Sequence, residues 1–166
     1  MIQRLIRALR TWPGPRDWAE CLVIAVIALG LMAALAYLGG FWRWQPRFDS
    51  WPLRLLSVTV VPSLTEEAVF RGLLPGRGES RQPWLWIGLG VAAFILWHVI
   101  EAVTFLPGAR LFLTPTFLAA AGVLGLACAL MRYRTGSLWP GVILHGTAVF
   151  LWQTLLSGPD IRSLLG

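Results

Sequence analysis

The sequence predicts an all-α protein, a polytopic transmembrane helix bundle with about five membrane helices. Three observations lead to this prediction. Of the 166 residues, 57% are hydrophobic and only 13% are charged; the mean hydropathy is +0.67; and apolar stretches of about 20 residues recur along the chain. A soluble domain usually has about a quarter of its residues charged. The composition therefore argues against a soluble globular domain and favours a single integral membrane domain over residues 1–166.

Five apolar segments are predicted to cross the membrane, each close to the ~20 residues that span a ~30 Å hydrocarbon core. They are Trp18–Phe41, Pro52–Leu74, Trp84–Leu106, Thr114–Met131 and Leu138–Leu156. Tryptophans lie at many of the proposed ends, as interfacial anchors do. Within the second segment, Pro62 is expected to disturb the helix. Within the fourth, small residues spaced four apart (Ala121, Gly125 and Ala129) indicate close helix packing.

The positive charge of the chain comes from 14 arginines, which lie between apolar segments rather than in one patch. This distribution is typical of membrane-flanking anchors and not of a nucleic-acid partner. With the N-terminus inside, the inner set is Arg4, Arg7, Arg10, Arg16, Arg77, Arg81, Arg132 and Arg134, and the outer set is Arg43, Arg47, Arg54, Arg110 and Arg162. The bias predicts a cytoplasmic N-terminus. The lack of lysine indicates a GC-rich bacterial source, so the expected location is a bacterial inner membrane. Cleavage of the first segment as a signal peptide is the less favoured alternative.

Apart from Arg54 near its start, the second apolar segment contains three charged residues, and each costs roughly 2.5–3.5 kcal/mol to insert at the centre of a membrane helix. Glu67 and Arg71 are four residues apart, which places them on one helix face as an ion pair. Glu66 lies about 100° around the helix and is available for another role. A purely structural alternative is that Ser63 and Glu66 form a capping box for a helix that restarts after the proline.

The two histidines of the chain, His98 and His145, both lie inside predicted membrane helices. Their predicted depths are similar to that of Glu66, at ~1.5 Å of rise per residue. One shared site within the bundle is therefore feasible. Glu101 follows His98 by three residues and shares its helix face. It is expected either to bond to His98, to line a cavity, or to reach water at the end of the helix.

Through Glu66, Glu67, Arg71, His98 and His145, taken together, the chain resembles the CAAX-protease and bacteriocin-processing family, also called the ABI family. Glu66-Glu67-x-x-x-Arg71 is similar to the E-E-x-x-x-R motif of that family, and Phe94-x-x-x-His98 matches its F-x-x-x-H motif. The resemblance covers about residues 52–157, with the motifs in the family's order.

The third family motif, H-x-x-x-N, is matched by His145 alone, because Val149 occupies the asparagine position. Loss of an oxyanion donor can lower a protease's rate by 10²–10³. The short chain is similar to bacterial members, including the myxosortase-like proteases that trim C-terminal sorting tails. Val149 is thus the one departure from the family pattern.

The resemblance implies a glutamic-type intramembrane protease that needs no cofactor or metal and acts on a membrane protein or peptide within the bilayer. Glu66 and His98 would activate a water molecule for attack on a peptide carbonyl. His145 would help to stabilise the oxyanion, and Glu67 and Arg71 would support the site. Preorganised donors of this kind supply a large catalytic term.

Two other functions remain open. Val149 favours a non-catalytic family member with a binding or immunity role. His98, His145 and a glutamate are also a possible ligand set for catalytic zinc. A transporter is the least favoured reading, because the sequence has no internal repeat.

Overall fold

The protein is helical along most of its length. The structure is a computed structural model that describes residues 2–160; Arg162 of the predicted outer set, and the last residues of the predicted domain, lie outside this range. The helices are α1 (Ile2–Arg10), α2 (Pro15–Leu38), α3 (Trp51–Val58), α4 (Thr65–Phe70), α5 (Pro83–Ile100), α6 (Pro115–Thr135) and α7 (Trp139–Leu155). A π-helical stretch, Thr59–Leu64, joins α3 to α4, and a second one, Glu101–Phe105, extends α5.

The predicted membrane helix bundle is confirmed. Three helices of the described chain are long and apolar enough to cross a membrane: Pro15–Leu38, Pro83–Phe105 and Pro115–Thr135. They correspond to the first, third and fourth predicted segments. The fifth predicted segment forms α7, which has 17 residues.

The second predicted segment is not one continuous helix. Val61 adopts extended backbone angles (φ −130°, ψ 115°) immediately before Pro62, and a proline interrupts the helical hydrogen-bond ladder. The helix that follows ends at Phe70, short of the predicted Leu74, so the charged residues lie on a short helix just beyond the break.

The capping box considered above does not form. The hydroxyl of Ser63 donates to the carbonyl oxygen of Val58 at 2.6 Å, which lies before the break and not in α4. The N-terminus of α4 begins after Leu64 and has no side-chain cap. Glu66 is therefore free of the structural role that the sequence allowed.

Helix α6 is the centre of the bundle, in contact with α2, α5 and α7. The small residues predicted to mediate packing, Ala121, Gly125 and Ala129, are all buried on it. Cys21 and Cys128 are free thiols in the apolar core formed between α2 and α6. Close approach of the backbones at the small residues explains why half of the apolar span of this helix is buried, against 17% in each of the other two spans.

Helix α1 was not predicted from the sequence. It packs through Ala8 against Leu138 and Val142 at the start of α7. The Leu138 amide donates to the carbonyl of Ala8 at 3.0 Å, and the Trp139 indole donates to the carbonyl of Leu9 at 2.9 Å. The signal available in the sequence was the spacing of apolar residues in its first nine positions, which is typical of an amphipathic helix.

Ion pairs and hydrogen bonds group the charged residues at two ends of the bundle. At one end, Arg7 binds Glu79 at 2.9 Å and Arg134 pairs with Glu20. At the other, Arg54 lies 3.6 Å from Asp49. These groups follow the predicted inner and outer sets, and which end faces the cytoplasm stays a prediction.

Candidate active site

Glu67 of α4 is fully buried and serves two partners with one oxygen. Its Oε1 lies 3.1 Å from Nη1 of Arg71 and 3.1 Å from Nδ1 of His145. The ion pair predicted from the four-residue spacing is therefore present. The contact with His145 was not predicted, and it links α4 to α7.

Arg71 is also fully buried, and an aromatic ring adds to its stabilisation. Its guanidinium carbon lies 4.0 Å from the ring centroid of Phe94, a cation–π geometry. A Cβ atom on Gly125 of α6 would lie only 2.9 Å from Nη2 of Arg71 and 3.1 Å from Cδ1 of Phe94. The absence of a side chain at Gly125 thus makes room for this cation inside the bundle.

Glu66 faces the other side of His145. Its Oε2 lies 4.0 Å from Nε2 of His145, beyond hydrogen-bond length. The Glu66 side chain is 13% exposed, and its Oε2 is buried without a hydrogen-bond partner among residues 2–160. A buried carboxylate oxygen without a partner is costly. This atom can therefore accept a hydrogen bond from a molecule that enters the space beside Glu66 and His145.

His98 of α5 is oriented by its own helix. Its Nδ1 lies 2.9 Å from the carbonyl oxygen of Phe94. A carbonyl only accepts, so Nδ1 carries the proton, and Nε2 of the neutral ring has a free lone pair. The ring is held edge-on to Phe94 at 4.6 Å and packs against Phe112 and Phe117 at 5.6 and 5.7 Å.

One cavity of about 840 Å³ brings the predicted catalytic groups together. Glu66, His98 and His145 all line it, whereas Glu67 and Arg71 do not and lie behind His145 and Phe94. Its walls are rich in aromatic residues: Phe41, Trp42, Trp97, Phe105, Phe112, Phe117 and Trp152. Glu66 and the Glu67–Arg71 pair, which helix geometry placed on different sides of α4, therefore lie in different surroundings: Glu66 in the cavity wall and the ion pair behind it.

A second carboxylate, Glu101, lines the same cavity. It begins the π-helical extension of α5 and lies in the cavity wall without a hydrogen bond to His98 in the described chain. The indole of Trp97 lies close to both Glu66 and Glu101, and its Nε1 is buried with no hydrogen-bond partner in that part of the protein. Sequence analysis did not identify Trp97, because one tryptophan among ten in an apolar chain is no signal.

The position of the missing family asparagine is part of the cavity wall. Val149 lines the cavity one helical turn after His145, so an amide there would reach the same space. Gln153 lies a turn further on, and its amide nitrogen donates to the carbonyl of Pro159 at 3.1 Å. The amide donor of Gln153 is thus engaged by Pro159 and is not directed toward His145.

Within residues 2–160, no group of three or more histidine, cysteine, aspartate or glutamate side chains is arranged to hold a metal ion. The zinc ligand set considered from the sequence, His98, His145 and a glutamate, is therefore not assembled in this part of the protein.

Comparison with known proteins gives one match. The family model described as type II CAAX prenyl endopeptidase Rce1-like matches residues 48–151, which include every predicted site residue. No curated protein and no solved structure matches the chain. The match supports an intramembrane endopeptidase with a peptide substrate embedded in the membrane, and it does not distinguish a myxosortase-like branch. The chain belongs to the Rce1-like family of type II CAAX prenyl endopeptidases.

Proposed function

We propose that the protein is a glutamic-type intramembrane endopeptidase in which Glu66 and His98 activate water and His145 stabilises the oxyanion. The observation that carries the proposal is the shared cavity: these three side chains line one space inside an apolar bundle. Glu67 and Arg71 act from behind as positioning residues. Family membership supports peptide hydrolysis as the reaction class.

Water activation needs acceptors for the protons of the nucleophile. Glu66 offers an unpaired Oε2, and His98 offers Nε2, because its Nδ1 is engaged with the Phe94 carbonyl. Two acceptors would fix the orientation of a water molecule and take one proton as its oxygen attacks the peptide carbonyl. The same proton would then be delivered to the leaving amine.

Oxyanion stabilisation places a requirement on the protonation of His145. Its Nδ1 faces the acceptor Oε1 of Glu67 at 3.1 Å and therefore donates. For Nε2 to donate to an oxyanion as well, the ring must carry both protons. Glu67 holds the ring through this contact, and Nε2 faces Glu66 at 4.0 Å across the cavity wall. Arg71 in turn balances the buried charge of Glu67.

The substrate is proposed to be a peptide segment of a membrane protein, cleaved near its C-terminus or its sorting tail. The largely apolar and aromatic cavity walls suit an apolar segment. The family description refers to prenyl substrates, and the same walls would accept a lipid chain. We place the protein in the bacterial inner membrane with its N-terminus in the cytoplasm.

The test is quantitative mass spectrometry of membrane-protein terminal peptides in the source bacterium. A deletion strain would be complemented with the wild type, with Glu66→Gln, or with Glu79→Gln as a carboxylate control outside the cavity, at matched protein levels. Specific new termini are expected with the wild type and the control but not with Glu66→Gln. Termini that persist with folded Glu66→Gln would overturn the glutamic mechanism.

A second candidate function is a non-catalytic binding or immunity role, favoured by the valine at position 149. It predicts that Glu66→Gln and His98 variants retain the full biological effect and that no termini depend on the protein. Substitutions at the helix-packing faces would abolish the effect instead. The same complemented strains therefore distinguish the two functions.

A further inference from the structure

Helix α1 buries only part of its apolar surface. Ala8 is completely buried, with Leu5 and Leu9 packed beside it. Ile2 and Ile6, on the adjoining side of the same helix, are 73% and 42% exposed. A short arginine-rich helix with an open apolar edge is typical of segments that lie in the membrane interface.

The end of the bundle around α1 has a large excess of positive charge. Within the described chain it holds eight arginines (Arg4, Arg7, Arg10, Arg16, Arg77, Arg81, Arg132 and Arg134) but only three carboxylates, Asp17, Glu20 and Glu79. Arg10, Arg16, Arg77 and Arg81 have no carboxylate partner among residues 2–160. The opposite end has a smaller excess within the described chain, with Arg43, Arg47, Arg54 and Arg110 against the carboxylates Asp49 and Asp160. The α1 end is therefore the more complementary of the two to an anionic surface.

A shallow groove of about 330 Å³ lies on the exposed side of α1, lined by Gln3, Ile6, Arg7, Arg10 and Thr11. We propose that this groove binds the phosphate headgroup of an anionic phospholipid, with Arg7 and Arg10 on the phosphate and Ile6 against the acyl region. Arginine is suited to phosphate oxygens by its fixed fork of donors.

Contacts with Glu79 tie α1 to the segment that follows α4. Glu79 holds Arg4 at 3.4 Å and Arg7 at 2.9 Å, and the Glu79 carboxylate also accepts from the amide of Gly76 at 3.3 Å. The Arg7 side chain nevertheless remains 66% exposed. The exposed Trp12 just after the helix adds an aromatic anchor of the kind found at membrane interfaces. A phospholipid is the partner that offers an anion and an apolar chain side by side.

The test is native mass spectrometry of the purified full chain titrated with phosphatidylglycerol or phosphatidylcholine. The variants are Arg7→Gln/Arg10→Gln, the charge-retaining Arg7→Lys/Arg10→Lys, and Arg43→Gln/Arg110→Gln as a matched loss of two charges at the other end. The wild type is expected to prefer phosphatidylglycerol. The glutamine pair at α1 should lose about 25-fold in affinity, since each arginine contributes about five-fold.

The lysine pair and the opposite-end control should retain most of the preference. Equal binding of the two lipids by the wild type would overturn the proposal, and so would an equal loss in the opposite-end control. If Arg7→Gln loosens α1 by removing its contact with Glu79, Arg10→Gln alone leaves that contact intact and should still lose about five-fold. The readout is lipid affinity, so it stands independently of the proposed protease activity.

Discussion

Glu67 and His145, 78 residues apart in the chain, are joined by a contact of 3.1 Å between Oε1 and Nδ1. The same oxygen meets Arg71 at 3.1 Å. One buried carboxylate therefore sets the position of a cation and of a cavity-lining imidazole on a different helix. Glu66 and Glu67 are not interchangeable. Glu66 lines the cavity, whereas Glu67 is bonded to Arg71 and His145 outside the cavity wall.

Replacing Glu67 with glutamine should destabilise the protein strongly. The substitution leaves the charge of Arg71 buried without its partner, and breaking a buried ion pair costs about 3–5 kcal/mol. Thermal unfolding in detergent would measure the loss. Glu79→Gln is the matched control, because Glu79 is a part-exposed carboxylate whose ion pairs are worth about 1 kcal/mol or less.

The double variant Glu67→Gln/Arg71→Met tests whether the destabilisation comes from the unpaired charge. Removing both charges should restore much of the stability lost in Glu67→Gln, since the two residues are in direct contact and their effects are not additive. Strictly additive losses would show that the ion pair does not explain the cost. Both Glu67→Gln and the double variant should be inactive, because neither retains the carboxylate that holds His145.

Gly125→Ala should lower both stability and activity. The added Cβ would lie 2.9 Å from Arg71 Nη2 and 3.1 Å from Phe94, and overpacking of this kind costs about 1–3 kcal/mol. Gly88→Ala on the neighbouring helix is the control, because nothing lies within 4 Å of its added Cβ. A Gly125→Ala protein as stable and active as Gly88→Ala would contradict the account of Arg71.

His98→Asn should separate folding from chemistry. The asparagine amide can replace Nδ1 as a donor to the Phe94 carbonyl, but it has no atom at the position of Nε2. We expect near-normal thermal stability and a loss of about 10²–10⁴ in cleavage rate, the usual contribution of a general base. Retained cleavage at matched protein levels would remove His98 from the proposed mechanism.

Val149→Asn should raise the cleavage rate. Val149 lines the cavity a turn after His145, so the new amide would offer a donor to the oxyanion, and such donors contribute up to about 10²–10³ in rate. Val149→Leu, which changes size without adding a donor, should give no increase. If the asparagine variant folds and cleaves no faster, His145 and backbone groups already supply the stabilisation.

The sequence was sufficient to predict the membrane bundle, and three of the candidate residues that it named, Glu66, His98 and His145, line one cavity. Long apolar runs permit little else in a bilayer, and charged residues inside such runs are retained where they have a function. Local helix geometry also predicted the Glu67–Arg71 pair, since a four-residue spacing determines which side chains can meet. The small residues of α6 likewise predicted close helix packing. They did not predict which side chains they would pack against.

Contacts between distant segments were decided only by the tertiary structure. That Gly125 makes room for Arg71, that Glu67 holds His145, and that Trp97 lies beside two carboxylates depend on the rotation and depth of four separate helices. Helical periodicity fixes angles within one helix but carries no information on how that helix is turned against its neighbours. The sequence by itself therefore determined which groups the bundle would contain. The packing of α4 through α7 determined that Glu66 lines the cavity and that Glu67 is bonded to Arg71 and His145.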